Sequence, residues 1–501
     1  MKILSAEGIR ALDKYTISHE PVSFIDLMER AAGKFTATML GHIKFNQTVN
    51  IFCGMGNNGS DGLATARLLI EQGYRHVTTY IVKHSSTAST DFLINEERLR
   101  NISSNIISIE NEAQIPVIDK HNIVIDAIFG SGLSRPVDGM TAAVIKAINH
   151  SAACIYSMDV PSGLFCDKPN SLDDVVVQSS ITCTFHAPKL SFMFASNGNY
   201  VPDFKILDIG LDKEFSENSD SQNYYVTQSL IQSFFRKRGK FSHKGTYGHA
   251  LIVAGSYGKM GAAVLSVKAA LRSGAGLVTA HIPACGYNIM QISNPEAMVE
   301  VDPNEKKITT IQDLKKYAAI GIGPAIGTTS ETVAFLKDTL ESYQKPMVID
   351  ADALNIISAE SDLLPWITAN TILTPHPGEF KRLAGDWKND LEKLQKQSEY
   401  SKQYKVIVVL KGANTSISSP DGKIYFNSTG NAGMAKGGSG DVLTGVITSI
   451  LAEGYPPLQA AILGAYIHGL AGDYARKNLG QTGMKAMDIT YYLPKAFSQF
   501  E

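Results

Sequence analysis

Three short apolar runs in the first 222 residues each end in groups that could bind and protonate a polar ligand. The first run, Val49-Asn50-Ile51-Phe52, leads into Cys53-Gly54-Met55-Gly56-Asn57-Asn58-Gly59-Ser60-Asp61-Gly62, and a helical stretch follows at 63–71. Glycines let the backbone turn tightly and approach a ligand, and free N–H groups at a helix start face anions such as pyrophosphate. A glycine-rich turn explains the glycines alone. Asn57, Asn58 and Asp61 add two amides and a carboxylate suited to ligand or cation contacts. The other two runs end in Ile125-Asp126-Ala127-Ile128-Phe129-Gly130-Ser131-Gly132 and Met158-Asp159-Val160-Pro161-Ser162-Gly163. If these strands share one doubly wound sheet, Asn58, Asp126 and Asp159 converge on a single crevice. Converging oxygens suit a hard cation, and a remaining carboxylate suits proton transfer. The competing reading is that each aspartate only caps a helix. Lys189 is within reach of the same crevice, but its expected place is in solvent.

A second set lies near the other end. Asn431-Ala432-Gly433-Met434-Ala435-Lys436-Gly437-Gly438-Ser439-Gly440-Asp441 opens an apolar helical run at 442–451. Consecutive N–H groups at such a start can form an anion hole for a transferring phosphoryl group, and Asp441 stands where a general base meets a substrate hydroxyl. An aspartate in a first turn also complements the helix dipole. The Gly437-Gly438-Ser439-Gly440 backbone, however, is too permissive for that role alone. Upstream, Lys411-Gly412-Ala413-Asn414-Thr415 offers a cation, a close-approach glycine and a hydroxyl to a nucleotide's phosphates. It is not a P-loop, because Gly-x-x-x-x-Gly-Lys-Ser/Thr is absent. Further polar breaks follow strand-like runs at Gly255-Ser256, Gly321-Ile322-Gly323-Pro324, Asp350-Ala351-Asp352 and Thr374-Pro375-His376-Pro377-Gly378-Glu379. His376, between two prolines, would on its own be a rigid turn residue.

These groups need strands to carry them, and the chain alternates short β-branched runs with helical stretches throughout. That pattern predicts an α/β class: a doubly wound, Rossmann-like front domain and a different α/β domain behind it. The front domain is expected at 1–222, with a polar linker at 210–222, and the second at 223–501. With 501 residues, 44% hydrophobic and 19% charged, the chain lies outside disordered, collagen-like and coiled-coil compositions. The first 222 residues hold 18 Lys+Arg against 25 Asp+Glu, and the rest 28 against 23, so a net charge of −2 conceals an acidic front and a basic back. A basic back half is compatible with phosphate ligands, yet neither half has the dense field of a nucleic-acid binder. Five cysteines without a C-x-x-C pair, a charge at Lys2 and Glu7, and no run of 18 apolar residues predict a reduced cytoplasmic protein without export or membrane signals.

The front motifs, Gly-x-Gly-Asn-Asn-Gly-x-Asp-Gly, Asp-x-x-x-Gly-x-Gly and Asp-Val-Pro-Ser-Gly, resemble the NAD(P)H-hydrate epimerase domain over roughly residues 1–215. The resemblance implies that Asn57, Asn58, Gly59, Ser60 and Asp61 bind the hydrated dinucleotide, with Gly130, Ser131, Gly132, Leu133, Ser134, Arg135, Pro136 and Asp159 as further contacts. It also implies a potassium ion at Asn58, Asp126 and Ser162. Ser60 stands where that family usually carries a second glycine. From about residue 225 the chain resembles the ribokinase-like ADP-dependent NAD(P)H-hydrate dehydratases, through Gly255-Ser256 with Met260-Gly261-Ala262-Ala263, Gly323-Pro324-Ala325-Ile326-Gly327, Thr-Pro-His-Pro-Gly-Glu, Lys-Gly-Ala-Asn-Thr and Gly-Gly-Ser-Gly-Asp. Here the resemblance implies substrate contacts at Ala262, Gly323, His376 and Asp441 and ADP contacts at Lys411, Gly412, Ala413, Asn414, Thr415 and Gly440, with Mg²⁺ on the phosphates. Ala325-Ile326 replaces the usual Gly-Leu of the third motif.

The expected activity is repair of NADHX and NADPHX. The front domain would interconvert the C6 epimers, with Asp159 as acid/base, and the rear would dehydrate one of them at the expense of ADP, with Asp441 as base. Expected partners are these small molecules, not nucleic acid or membrane, and a homo-oligomer is compatible with them. The alternatives are a ribokinase-like vitamin-precursor kinase carrying a non-catalytic front module, and a redox Rossmann enzyme. The latter is weakened because no Gly-x-Gly-x-x-Gly with an acidic ribose partner follows any strand.

Overall fold

The computed structural model describes residues 1–311 and 313–501, which divide into two compact units, Met1–Asn223 and Tyr224–Glu501. In the first unit the strands are β1 (Val49–Cys53), β2 (Val77–Val82), β3 (Ile106–Ile109), β4 (Ile123–Ala127), β5 (Cys154–Met158), β6 (Ile181–Phe185) and β7 (Phe204–Leu207). They form one sheet in the order β3-β2-β1-β4-β5-β6-β7, with every adjacent pair parallel. Parallel pairing demands crossovers on both faces, so β1 and β4 are buried at every position. Phe35, Met39, Leu63 and Leu69 cover one face, and Val144, Ile145 and Ile148 the other. The doubly wound expectation holds. The strand order reverses between β1 and β4, and there the crevice of such a sheet opens. Gly54 N donates to Ala127 O at 3.1 Å, and a Cβ on Gly54 would stand 2.1 Å from Ile128 O. The two strand exits touch backbone to backbone, which only glycine permits.

The stretch 210–222 is not a free linker. Ile209 and Leu211 are buried with Leu4, Leu12, Leu27 and Ala31, and Asp212 caps helix Lys213–Asn218 by accepting from Phe215 N at 2.7 Å. Ile3 N donates to Asn223 O at 2.8 Å, which ties the end of this stretch to the first residues. Its polar residues supply caps and turns, a composition that in sequence is the same as a linker's.

The second unit is built on β8 (Asn223–Tyr225), β9 (His249–Val253), β10 (Leu277–Pro283), β11 (Met298–Asp302), β12 (Ala319–Ile322), β13 (Val348–Ile349), β14 (Ile372–Leu373), β15 (Ile407–Leu410), β16 (Ser416–Ser418) and β17 (Ile424–Phe426). Their order is β11-β10-β9-β12-β13-β14-β15-β16-β17-β8, parallel from β11 to β15 and antiparallel through β16 and β17. Helices Met260–Leu271, Ser439–Ala452 and Pro457–Leu479 cover one face with a largely aliphatic core, while Phe335, Leu336, Leu354 and Phe380 fill the other. A Cβ on Gly445 would stand 2.0 Å from Ser266 O, so the first two of these helices meet almost at backbone contact. The strand order reverses again, between β9 and β12. Among the described residues no helix is long and apolar enough to cross a membrane.

Candidate functional sites

In the first unit the crevice is a cavity of about 480 Å³. Helix Asn57–Glu71 begins at Gly56 without a side-chain cap, and Asn57, Asn58 and Asp61 line the cavity beside it. Gly59 and Ser60, expected as contacts, do not. Gly59 is buried with room for no Cβ (1.8 Å to Gly54 O), and Ser60 is fully buried, its hydroxyl accepting from Asn95 Nδ2 at 2.9 Å. The hydroxyl that departs from the family pattern is therefore a packing group. Of the second loop, Gly130 to Arg135 line the cavity, whereas Pro136 is exposed outside it. Phe129 and His84 stack there with ring centroids 4.8 Å apart at 2°. Burial lowers the His84 pKa, so the ring is neutral near pH 7.

Asp159 turns into this cavity from a left-handed residue, φ 61°, immediately after β5. Its Oδ1 lies 2.9 Å from Lys189 Nζ and accepts from Thr184 Oγ1 at 3.3 Å and Phe185 N at 3.2 Å. Lys189 is 1% exposed, so the expectation of a solvated lysine is wrong: the ammonium is the buried partner of Asp159. Asp61 is pushed well above the usual carboxylate range by burial first and then by the charges of Asp159 and Asp13, and its Oδ1 has no hydrogen-bond partner. Sequence reasoning missed Asp13, which lines the cavity from helix Ala6–His19.

Asp126, Ser162 and Asn58 meet beneath the same loop. Asp126 is fully buried; its carboxylate accepts from Ser162 Oγ at 2.5 Å, Ser162 N at 2.8 Å and Ser157 Oγ at 2.9 Å. Desolvation still outweighs these bonds and raises its pKa. No cation among the described side chains pairs with it, and the Asp126 carboxylate, the Ser162 hydroxyl and Asn58 Oδ1 by the Gly130 loop are oxygen donors of the kind that suits a hard monovalent cation. A Cβ on Gly130 would stand 3.1 Å from Asn58 Oδ1, which keeps the amide against the loop.

In the second unit the expected loops also gather at the strand ends. Gly438, φ 94°, starts helix Ser439–Ala452, and no side chain caps its first turn. Asp441 lies in that turn. Burial, then the Asp350 charge, push its carboxyl up to about 6, against the pull of Lys411. Ser266 Oγ is 2.9 Å from Asp441 O and 3.0 Å from Ala262 O, which brings Ala262 and Asp441 together. Gly323, φ 126°, could hold no side chain, since a Cβ would lie 1.9 Å from Asp350 O. The Ala325 departure falls on a left-handed residue, φ 56°, where glycine is the unstrained choice.

Lys411 is not free for phosphates alone. Its Nζ is 2.8 Å from Asp350 Oδ1 and 3.9 Å from Glu379 Oε2, while Asp350 Oδ2 accepts from Thr444 Oγ1 at 2.7 Å. The position of a Cβ on Gly440 is 3.3 Å from the same ammonium, so cation and helix start are adjacent. Thr415 Oγ1 closes its own turn by donating to Gly412 O at 3.1 Å, with Ala413 exposed and Asn414 half-buried between them. His376 precedes helix Pro377–Ala384, and its Nδ1 accepts from Gly378 N at 2.9 Å and Glu379 N at 3.2 Å; Glu379 Oε2 in return accepts from His376 N at 2.7 Å. The part of Asp350 as partner of Lys411 was not expected. Among the described residues no cluster of three His, Cys, Asp or Glu could hold a metal by itself.

Two family models match the chain: one described as YjeF-related protein N-terminus over residues 25–191, and one described as NAD(P)H-hydrate dehydratase over 250–495. A bifunctional NAD(P)H-hydrate repair enzyme of Moorella thermoacetica is 34% identical, with 100% of this chain and 97% of that protein aligned. The protein of the same description from Escherichia coli is 30% identical over 88% and 83%. Among solved structures, an ADP/ATP-dependent NAD(P)H-hydrate dehydratase from Bacillus subtilis co-crystallised with ATP/Mg²⁺ is 31% identical and covers 56% of this chain and 99% of its own, with a TM-score of 0.49.

Proposed function

The chain belongs to the bifunctional NAD(P)H-hydrate repair enzymes, and from that premise we propose how its two sites divide the work. Its activity is epimerisation of NAD(P)HX and ADP-dependent dehydration to NAD(P)H, AMP and phosphate. The first unit is the epimerase. Its cavity admits a hydrated nicotinamide, with the Asn57 helix start facing pyrophosphate and Asp159, held by Lys189, handling the proton as the C6–OH bond breaks and re-forms. Potassium would be held by Asn58, Asp126 and Ser162, where it would offset the charge of the buried Asp126 and steady the loop carrying Gly130.

The second unit is the dehydratase. Hydroxide is a poor leaving group, so the hydroxyl is first esterified: Asp441 takes its proton while the β-phosphoryl of ADP is transferred, and phosphate then leaves as the ring nitrogen's lone pair restores the dihydropyridine. The helix start at Ser439, Gly440 and Asp441 supplies the donors for that phosphoryl, and the loop Lys411 to Thr415 seats the nucleotide. Mg²⁺ would neutralise phosphate charge; with the Asp350 oxygens engaged by Lys411 and Thr444, it would be held mainly through the nucleotide's phosphates. The observation that carries this reading is a half-buried carboxylate, Asp441, on an uncapped glycine-built helix start beside a cation.

The test uses the purified chain on mixed NADHX epimers with ADP or ATP, potassium varied and reduced nicotinamide followed by absorbance. Two working sites convert the whole pool and release one phosphate per turnover. Persistence of one epimer would remove the epimerase assignment, and a phosphorylated product without NADH would point to the kinase alternative.

A further inference from the structure

The front cavity contains an ionisable group that the scheme above leaves idle. Asp13 projects from helix Ala6–His19 on the same side as Ile9, one turn earlier, while Leu12 and Thr16 of that helix are buried in the core. Its carboxyl forms no hydrogen bond or ion pair with any described residue; Asp61 Oδ1 is likewise unpartnered but buried, whereas Asp13 is half-buried and Asp159 is held by Lys189. Asp159 and Lys189 face it from the strand ends and Asp61 from helix Asn57–Glu71. Arg10 shares its helix, and His84, Arg135 and His186 complete the ionisable lining. Three carboxyl groups thus share a cavity with one buried ammonium, which pairs with Asp159 through Oδ1.

Resting on the epimerase reading of this cavity, we infer that Asp13 is the proton donor to the departing C6 hydroxyl, with Asp159 as the base for the water that returns on the other face. Epimerisation needs both functions. The C6–O bond breaks with its electron pair going to oxygen, which takes the Asp13 proton and leaves as water, while the N1 lone pair forms N1=C6. Water then adds to the opposite face of C6, the π pair returns to N1, and the surplus proton passes to Asp159 and through solvent back to Asp13. No oxidant or co-reactant is consumed. Asp159, with three polar contacts on Oδ1 including the Lys189 ammonium, is arranged as an acceptor. Asp13 is arranged the opposite way: burial, then the Asp159 charge, push it up to about 6 against the pull of Lys189, and a ligand filling the cavity moves it further in that direction.

The experiment follows conversion of one purified NADHX epimer by the full chain without nucleotide, corrected for the buffer rate, as a function of pH. Asp13→Asn should lower kcat at least about 100-fold with KM changed less than about threefold, and Asp13→Glu should recover part of it. The unaltered chain should lose rate as pH rises through the Asp13 titration, and the residual rate of Asp13→Asn should lack that limb. ADP-dependent dehydration of the other epimer should be unchanged. Epimerisation at the unaltered rate in Asp13→Asn, or a reduced rate that keeps the descending limb, overturns the assignment. If the unaltered chain itself does not exceed the buffer rate, the epimerase reading fails first and carries this one with it.

Discussion

Asp441→Asn removes one proton acceptor and almost no volume, so its consequences separate chemistry from packing. A positioned general base contributes roughly 10²- to 10⁴-fold, or about 3–5 kcal/mol of barrier, and ADP-dependent NADH formation should fall by that factor. Stability should move the other way. Burial and the Asp350 charge push the folded carboxyl up to about 6, from an ordinary value of 3.8. A carboxyl whose pKa is raised by folding is at no disadvantage below the unfolded pKa and costs stability once pH passes the folded value. Above pH 6 the ionised Asp441 therefore costs about 3 kcal/mol as an upper figure, and Asn avoids that cost. At pH 7.5 the variant should melt on the order of 5 °C higher, and at pH 4 at nearly the same temperature. In the unaltered chain, kcat/KM for dehydration should fall as pH drops below about 6, with no such limb in the residual activity of the variant. The assays are NADH absorbance from the purified competent epimer across pH 5–8 and thermal melts at both pH values. Dehydration at the original rate, or equal loss of epimerisation, would refute the reasoning.

Lys189→Met strands Asp159 in the cavity wall. The chain should lose about 3 kcal/mol or more by urea unfolding at pH 7.5, together with epimerisation, and Lys189→Met with Asp159→Asn should regain most of the stability but none of the activity. Ala325→Gly relaxes a left-handed alanine at about 1–2 kcal/mol and gives back about half of that in unfolded-chain entropy, so a rise in stability of about 0.5–1 kcal/mol is expected, measured by the same unfolding.

What could be read from the chain follows from backbone demands. A tight turn and a helix start without a side-chain cap leave glycines in the sequence, which is why the loops around Gly56 and Gly438 and the helices after them were legible. Groups that act by tertiary pairing leave no such trace. Lys189 meets Asp159 across 30 residues and Lys411 meets Asp350 across 61, and each lysine in isolation looks like any surface cation. Asp13 sits on an ordinary amphipathic helix, where one acidic position among polar ones carries no signal until the opposite wall of the cavity is known. The stretch 210–222 misled for a related reason, since capping residues and flexible residues are the same residue types. Ala325 was visible as a departure, but its meaning lay in a dihedral angle.

The reciprocal cap between His376 and Glu379 decides more than where a helix begins. With Nδ1 engaged as acceptor by two amides, the imidazole's only proton is confined to Nε2. That nitrogen lies 3.4 Å from Glu379 Oε1, so in this tautomer the ring faces the carboxylate as a donor and has no nitrogen left to accept. A proton on Nδ1 would strip both amides of their acceptor, so the tautomer and the turn it caps stand or fall together.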